Sequence, residues 1–402
     1  MNSFKFHSVG QGLFYTGSLA HKTYNFVYDC GTKSKNHYLS SAIDSYKKEI
    51  QDDTIDKPKI EFVVISHLHK DHFSGLFELA QKTNIRKVYL PYLGNDKNLI
   101  SLILAYIILG NNPKESINQT AYSLFYFMCG LYGVENNHNF PRLEGVFLGG
   151  NEVEDENNEF AYSRYIDYLY VESRRYWKFV FINRGISRYK LQQLNKKMYR
   201  LLSDYTVKNI VELISKEKGA EKIAQIYGEV FSPEIKSNSN FLNMTSTVLL
   251  HYPLYSSPNG FFADSKETTK CAQKRVNTRY FSYRYPCEYN CYQFERLWNP
   301  STILAGDVLI DNTMENLILS NMNQTGSASH EICGVLQVPH HGSKDNWIAW
   351  SKTSIGSQVH VISFGLGNNH RHPHSDTVEK LVSFQKNIQL VNQIQDFIYY
   401  ID

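Results

Sequence analysis

His67, His69, Asp71 and His72 fall within the six-residue run His67-Leu68-His69-Lys70-Asp71-His72. Imidazole nitrogens combined with a carboxylate suit Zn²⁺ or a similar first-row divalent ion. His67 and His69, two residues apart, can chelate one ion. Asp71 and His72 leave by a different direction and suit a second. Further residues of these types recur far downstream, in Gly306-Asp307, Pro339-His340-His341-Gly342-Ser343 and His370-Arg371-His372-Pro373-His374. Two divalent ions about 3.5–4 Å apart can share a water, lower its pKa toward neutrality and clamp the oxygens of a reacting ester. Hydrolysis is the chemistry to expect.

Each of these groups follows an apolar, largely β-branched run that reads as a buried strand. Phe62-Val63-Val64-Ile65-Ser66 leads to His67, and Thr302-Ile303-Leu304-Ala305 to Asp307. Val335-Leu336-Gln337-Val338 leads to the His340/His341 pair, and Val359-His360-Val361-Ile362-Ser363 to His372. Sites in α/β sheets form at the carboxyl ends of strands, so four such strands can aim these side chains at one place. The opening segment reads as a β meander with turns at Gly10-Gln11-Gly12 and Asp29-Cys30-Gly31. Glycines there allow tight turns or close backbone approach. A polar helix is predicted over 36–51, and a helix begins near Phe73. From about 97 to 235 the pattern is mainly helical (99–109, 117–132, 187–216), interrupted by one short strand at Trp177-Lys178-Phe179-Val180-Phe181-Ile182. Strands return at Ser246-Thr247-Val248-Leu249-Leu250-His251. A helix over 375–386 and a strand at Asp396-Phe397-Ile398-Tyr399-Tyr400 close the chain.

The chain has 402 residues, room for one large domain or two smaller ones. Its net charge of +3 excludes a general polyanion binder, so any basic surface must be local. Aromatic residues make up 14%, which favours large buried areas or stacking surfaces. The first residues lack the basic-then-apolar pattern of a signal peptide. The most apolar later run, 99–109, is too short to span a bilayer. Six scattered cysteines do not form a disulfide framework. The expectation is a cytoplasmic protein with no membrane partner. Cys287 and Cys291, with Cys271 and His251, are spaced too loosely for a structural zinc site, and buried thiols are favoured. The acidic run 152–159 reads as a solvated loop.

His67-x-His69-x-Asp71-His72, Gly306-Asp307, Pro339-His340-His341-Gly342-Ser343 and His372-Pro373, in this order, resemble the metallo-β-lactamase superfamily. Val9-Gly10-Gln11-Gly12 and Tyr28-Asp29-Cys30-Gly31 match its usual first strands. The Pro-His-His-Gly-Ser version looks most like the branch holding the hydrolase domain of bacterial DNA-uptake channels and the phosphorylcholine esterases. That branch also carries a strand like Asn243-Met244-Thr245-Ser246-Thr247-Val248-Leu249. The resemblance implies an α/β fold, an αββα sandwich with a large helical insertion and a second aromatic and basic insertion. The corresponding segments are 1–96 and 300–402 for the two parts of the sandwich and 241–251 for a core strand. The helical insertion is 97–240, a cap or partner-docking region, and the Tyr/Arg/Cys-rich insertion is 252–299. The resemblance further implies two divalent ions, zinc foremost and manganese as the alternative. One would take His67, His69 and a histidine of the 340/341 pair, with His341 favoured as ligand and His340 as an outer or phosphate contact. The other would take Asp71, His72 and His372, and Asp307 would bridge the two. His370 and His374 read as surface residues. The chain departs from the pattern at two places: no Gly-His-Thr-like loop precedes Gly306-Asp307, and Leu13 stands where an aspartate often follows Gly-Gln-Gly.

The expected activity is that of a phosphodiesterase or nuclease, in which Asp71 orients the attacking water and His340 contacts the phosphate or protonates the leaving oxygen. Lys344 is a candidate substrate contact. Arg174-Arg175-Tyr176-Trp177-Lys178 and the run 274–285, which contains Arg279 and Arg284, could meet phosphates while their aromatics stack bases. The same stretches read equally well as an aromatic lid. Ser343 has no indicated base partner and reads as a turn residue. Thioester or other acyl hydrolysis is the first alternative, and a metal-binding interaction subunit of a multi-protein system is the second.

Overall fold

A computed structural model describes residues 2–51, 56–91, 144–147, 153–154, 160–171, 174–201, 243, 245–254, 261–264, 281–282, 294–295, 300–322, 332–344, 346, 355–383 and 387–401, with scattered positions between 209 and 230. The strands are β1 (Asn2–Phe6), β2 (Phe14–Leu19), β3 (Tyr24–Cys30), β4 (Lys59–Val64), β5 (Asn84–Leu90), β6 (Glu144–Phe147), β7 (Val153–Glu154), β8 (Phe160–Val171) and β9 (Arg174–Ile186). There follow β10 (Thr247–Pro253), β11 (Phe261–Asp264), β12 (Phe281–Ser282), β13 (Phe294–Glu295), β14 (Thr302–Leu304), β15 (Ile332–Gln337), β16 (Gly356–Ser363), β17 (Asn387–Val391) and β18 (Phe397–Ile401). Two eight-stranded sheets result, in the orders β11-β18-β1-β2-β3-β4-β5-β6 and β17-β16-β15-β14-β10-β9-β8-β7. The fold is mixed α/β with two sheets, consistent with the metallo-β-lactamase sandwich.

Phe4, Tyr15, Phe26, Phe62 and Tyr89 of the first sheet pack with Trp177, Phe179, Phe181, Leu249 and Val359 of the second in one buried cluster. Ring centroids of Phe62 and Phe179 are 5.0 Å apart across it. Among the described residues many of the aromatic rings are core, and each such ring stabilises by about 1.5–3 kcal/mol when removed from water. Helices cover the other faces. Leu39, Ile43, Tyr46 and Ile50 of the helix Asn36–Ile50 lie in the second cluster, as do Leu191, Leu194 and Met198 of Arg188–Leu201, and Met314 and Ile318 of Asn312–Met322. No helix among the described residues is long and apolar enough to cross a membrane.

Among the described residues of the predicted helical region 97–240, strands β6 to β9 stand beside the helix Arg188–Leu201. The single short strand at 177–182 is the middle of β9, thirteen residues long, which pairs with the twelve-residue β8 on one side and β10 on the other. Alternation was obscured because β9 buries both faces: Trp177, Phe179 and Phe181 point into one cluster, Val180 and Ile182 into the other. The helix Arg188–Leu201 accounts for the first part of the predicted amphipathic run 187–216, most of whose remainder lies outside the described residues. The predicted helices at 99–109 and 117–132, and all but two residues of the acidic loop, lie outside the described residues. The predicted insertion 252–299 gives one strand, β11, to the first sheet. The helix Asn312–Met322 and β17 carried no clear pattern in the sequence.

What positions the site is a set of parallel neighbours. β3, β4 and β5 run parallel, as do β14, β15, β16 and β17. The two sheets meet beside β4, where Thr247 N donates to Ser66 O at 2.9 Å and Tyr28 Oη to Thr247 O at 2.7 Å. Gly31 explains one early turn. A Cβ there would collide with the backbone of Asp71 and His72, so the metal-type loop lies directly on it. Gly31→Ala should therefore lose about 1–3 kcal/mol of stability, read as a lower denaturant midpoint. An unchanged midpoint would show that the loop has room to move.

Candidate metal centre

The loop after β4 carries four of the polar side chains. His67 and His72 are fully buried, and Asp71 is 1% exposed. The turn after β14 supplies Asp307. It is pinned from behind by Gln337, whose Oε1 accepts from Ala305 N and Gly306 N at 2.8 Å each, and by Asn346 Nδ2, which donates to Asp307 O at 2.8 Å. The turn after β15 supplies His341 in a left-handed conformation (φ 55°). Two groups of potential ligand atoms result: Asp71, His72, Asp307 and His341, and His67, His69 and Asp307. Asp307 belongs to both.

Hydrogen bonds fix which nitrogen of each ring faces inward. His72 Nδ1 lies 2.7 Å from Asp29 Oδ2, so it carries the proton and leaves Nε2 toward Asp307 Oδ1 at 3.1 Å. His341 Nδ1 donates to Ser363 O at 2.7 Å, leaving Nε2 3.3 Å from Asp71 Oδ2. The hydroxyls of Ser66 and Ser246 are spent on Asp29 Oδ2 and Asn243 O, so each can only accept from His67 Nδ1, at 3.1 Å. His67 Nε2 therefore keeps its lone pair, 3.0 Å from His69 Nδ1. Such outer contacts orient metal-binding imidazoles and fix their tautomer. Asp71 Oδ1 is buried with no hydrogen-bond partner, and His72 Nε2 and Asp307 Oδ1, 3.1 Å apart, have only each other. Buried polar atoms otherwise find partners, and lone pairs converging from three residues of one group fit a divalent ion.

The charges agree. Burial alone would raise Asp71 and Asp307, yet Lys33 and His341 hold the first, and His72, His340 and His341 the second, well below the usual carboxylate range. Burial, then Lys33, pushes His69 down to about 3, so its ring is neutral and able to ligate. Burial lowers His72, but Asp307 and Asp29 outweigh it and hold its pKa well above the ordinary value. A metal ion would displace that proton.

Residues 16–100 match the family model of the metallo-beta-lactamase superfamily. The matched stretch contains His67, His69, Asp71 and His72 with β3, β4 and β5, and it supports a place in that superfamily. No curated protein matches the chain. Among solved structures, MEM-A1, a subclass B3 metallo-beta-lactamase from a soil metagenome library, is similar at 15% identity over 44% of this chain and 55% of its own, with a TM-score of 0.18. SMB-1, solved with 2-mercaptoethanesulfonate, shows 9% identity over 44% and 57%, with a TM-score of 0.18. MIM-1 from Novosphingobium pentaromativorans shows 11% over 59% and 91%, with a TM-score of 0.20. The chain thus spans little more than half the length of the first two lactamases.

Relative to the arrangement implied by the superfamily resemblance, the structure redistributes two histidines. His341 stands with Asp71 and His72, not with His67 and His69, because the left-handed turn brings its Nε2 onto Asp71. His372 lies outside both groups. Its ring centroid is 5.2 Å from His340 and 6.4 Å from His341, it stacks on His370, and burial lowers its pKa to about 3. His340 Nε2 lies 3.7 Å from Asp307 Oδ2, with Nδ1 donating to Asn346 Oδ1 at 2.8 Å and Nε2 3.1 Å from Asn243 Nδ2. Lys344 points elsewhere, with Nζ 2.6 Å from Asp376 Oδ2. Arg279 and Arg284 lie outside the described residues. The other basic and aromatic stretch is half core: Trp177 is fully buried, and Arg175 sits 4.4 Å over the Tyr168 ring. His251 cannot serve a cysteine site, since Tyr15 Oη and Trp177 Nε1 occupy its two nitrogens.

Three contributors were missed. Asp29 and Ser246 had a partial signal, in the Asp-x-Gly turn and in the strand near Asn243. Lys33, whose Nζ lies 2.8 Å from Asp71 Oδ2, had none.

Proposed function

We propose that the chain is a dinuclear metal-dependent hydrolase acting on a phosphodiester, in nucleic acid or a nucleotide-like small molecule. The observation that supports this most is the single carboxylate of Asp307 belonging to two ligand groups, with orphaned buried lone pairs facing inward. His67, His69 and Asp307 would hold one ion, and Asp71, His72, Asp307 and His341 the other. Zinc suits the histidine-rich set and manganese is the alternative. Such ions, when bound, activate water and neutralise charge on a reacting oxygen.

The chain's own residues supply the rest. Asp71 is assigned the orientation of the attacking water. His340, 15% exposed at its side chain, is assigned a contact to a phosphoryl oxygen. Because Nδ1 already donates to Asn346 Oδ1, a proton on Nε2 for that contact makes the ring cationic, against the burial that lowers its pKa, so the phosphoryl anion itself would have to hold that proton in place. The Pro339-His340-His341-Gly342-Ser343 turn supports placement in the branch of DNA-uptake hydrolase domains and phosphorylcholine esterases. A protein partner on 97–240 and a cytoplasmic setting complete the proposal.

The test is a chromogenic panel with added Zn²⁺ or Mn²⁺, followed by labelled single- and double-stranded DNA and RNA. Hydrolysis of bis(p-nitrophenyl) phosphate is expected. Thioester turnover without phosphodiester turnover would make the chain an acyl hydrolase. Two bound metals with no turnover of either would favour an interaction subunit.

A further inference from the structure

Lys33 lies in the loop after β3, and nothing in its sequence context marks it. That loop is clamped to the Gly10-Gln11-Gly12 turn. Lys33 N donates to Gln11 O at 2.6 Å, Gln11 N to Ser34 Oγ at 2.9 Å, and Thr32 Oγ1 to Val9 O at 2.7 Å. The backbone of Lys33 is thus fixed while its side chain reaches from solvent to the site floor. The lysine side chain is 34% exposed and Asp71 only 2%, with the ammonium 2.8 Å from Asp71 Oδ2.

We infer that Lys33 is the cation that receives the anionic group of the substrate, a phosphodiester oxygen or an equivalent oxyanion next to the scissile bond. The inference rests on the dinuclear reading and refines its substrate class. Asp71, Asp307 and the Asp29 carboxylate behind His72 together carry a formal −3. Two divalent ions add +4 and Lys33 adds +1, so a loaded site stands near +2 with its histidines neutral. A neutral ester leaves that charge unmet, whereas an oxyanion complements it. An ion held by the Asp71 carboxylate would loosen its grip on Lys33, because like charges sharing one carboxylate repel. The ammonium then turns toward the mouth, where its exposure already places it. His370, which stacks on His372 and feels the charge of Lys33, stands on the same rim. Lys344, the cation expected from the sequence, is held at Asp376.

The experiment uses the full chain loaded with Zn²⁺ and compares Lys33→Met and Lys33→Arg with the parent. Metal per chain is measured by elemental analysis, and inorganic phosphate affinity by titration calorimetry. KM and kcat are measured on bis(p-nitrophenyl) phosphate. Lys33→Met should keep its metal, bind phosphate at least about 10-fold more weakly and raise KM more than it lowers kcat. Lys33→Arg should recover most of the phosphate affinity. Unchanged phosphate affinity in Lys33→Met overturns the inference. So does loss of metal from Lys33→Met, which would make Lys33 a positioning residue for Asp71. If the parent cleaves no phosphodiester but Lys33→Met still loses phosphate affinity, the phosphodiesterase reading fails while the anion-binding role of Lys33 stands.

Discussion

Replacing Asp307 by alanine is expected to lower metal content from near two ions per chain to below one and to reduce turnover by more than about 100-fold. The scale follows from outer contacts, whose loss alone costs about 10–100-fold in metal affinity or activity. Loss of a shared ligand must exceed that. One carboxylate reaches His72 Nε2 at 3.1 Å through Oδ1, and His67 and His340 at 3.7 Å each through Oδ2. Without it, one group keeps only two imidazoles, and the other one carboxylate and two imidazoles. The fold should survive. The Gly306-Asp307 turn is held by Gln337 and Asn346 through backbone atoms, and none of those bonds uses the Asp307 side chain. Circular dichroism should therefore match the parent while elemental analysis does not. A folded Asp307→Ala protein retaining two ions would remove Asp307 from the centre and with it the dinuclear reading.

The second large effect is expected at a residue that touches no ion. Asp29→Asn keeps the shape of the side chain but changes what it asks of His72. The aspartate accepts from His72 Nδ1, from Ser66 N and from Ser66 Oγ, each at 2.7 Å. An asparagine that still accepts from Ser66 N must turn its amide nitrogen toward His72. His72 Nδ1 then becomes the acceptor, and its proton moves to Nε2, the atom that faces Asp307. A protonated Nε2 cannot ligate a metal. Affinity at the Asp71/His72/His341 group should fall about 10–100-fold, while the His67/His69 group changes less. Stepwise metal titration with a chromophoric chelator separates the two. Equal loss at both sites, or no loss, would show that Asp29 is not the residue that sets the His72 tautomer.

Much of the site was legible because ligand chemistry is local in sequence. His67, His69, Asp71 and His72 sit on one loop, and the strand before them declares itself by its apolar run. Asp307 and the His340/His341 pair were found the same way, from strands that end in a polar residue. The sandwich was legible through the resemblance that the motifs, in their order, bear to the metallo-β-lactamase superfamily. The long β8–β9 hairpin was not, because a strand buried on both faces loses the alternation that distinguishes it from a helix.

What the sequence determined by itself is therefore the set of chemical groups and the strand ends that carry them. The tertiary structure alone decided how those groups are shared. It joined His341 to Asp71 through a left-handed turn that residue identity does not announce, and set His372 aside beside His340. It held Lys344 at Asp376 and set Lys33, on another loop, against Asp71. Sequence spacing fixes reach only within one loop. Which of two histidines faces a carboxylate more than 200 positions away depends on backbone conformation and on the hydrogen bonds behind each ring. For His67, His69, Asp71 and His72 the run of residues was enough to name the ligands, and the fold then supplied Asp29, Ser66 and Ser246 to aim two of their rings.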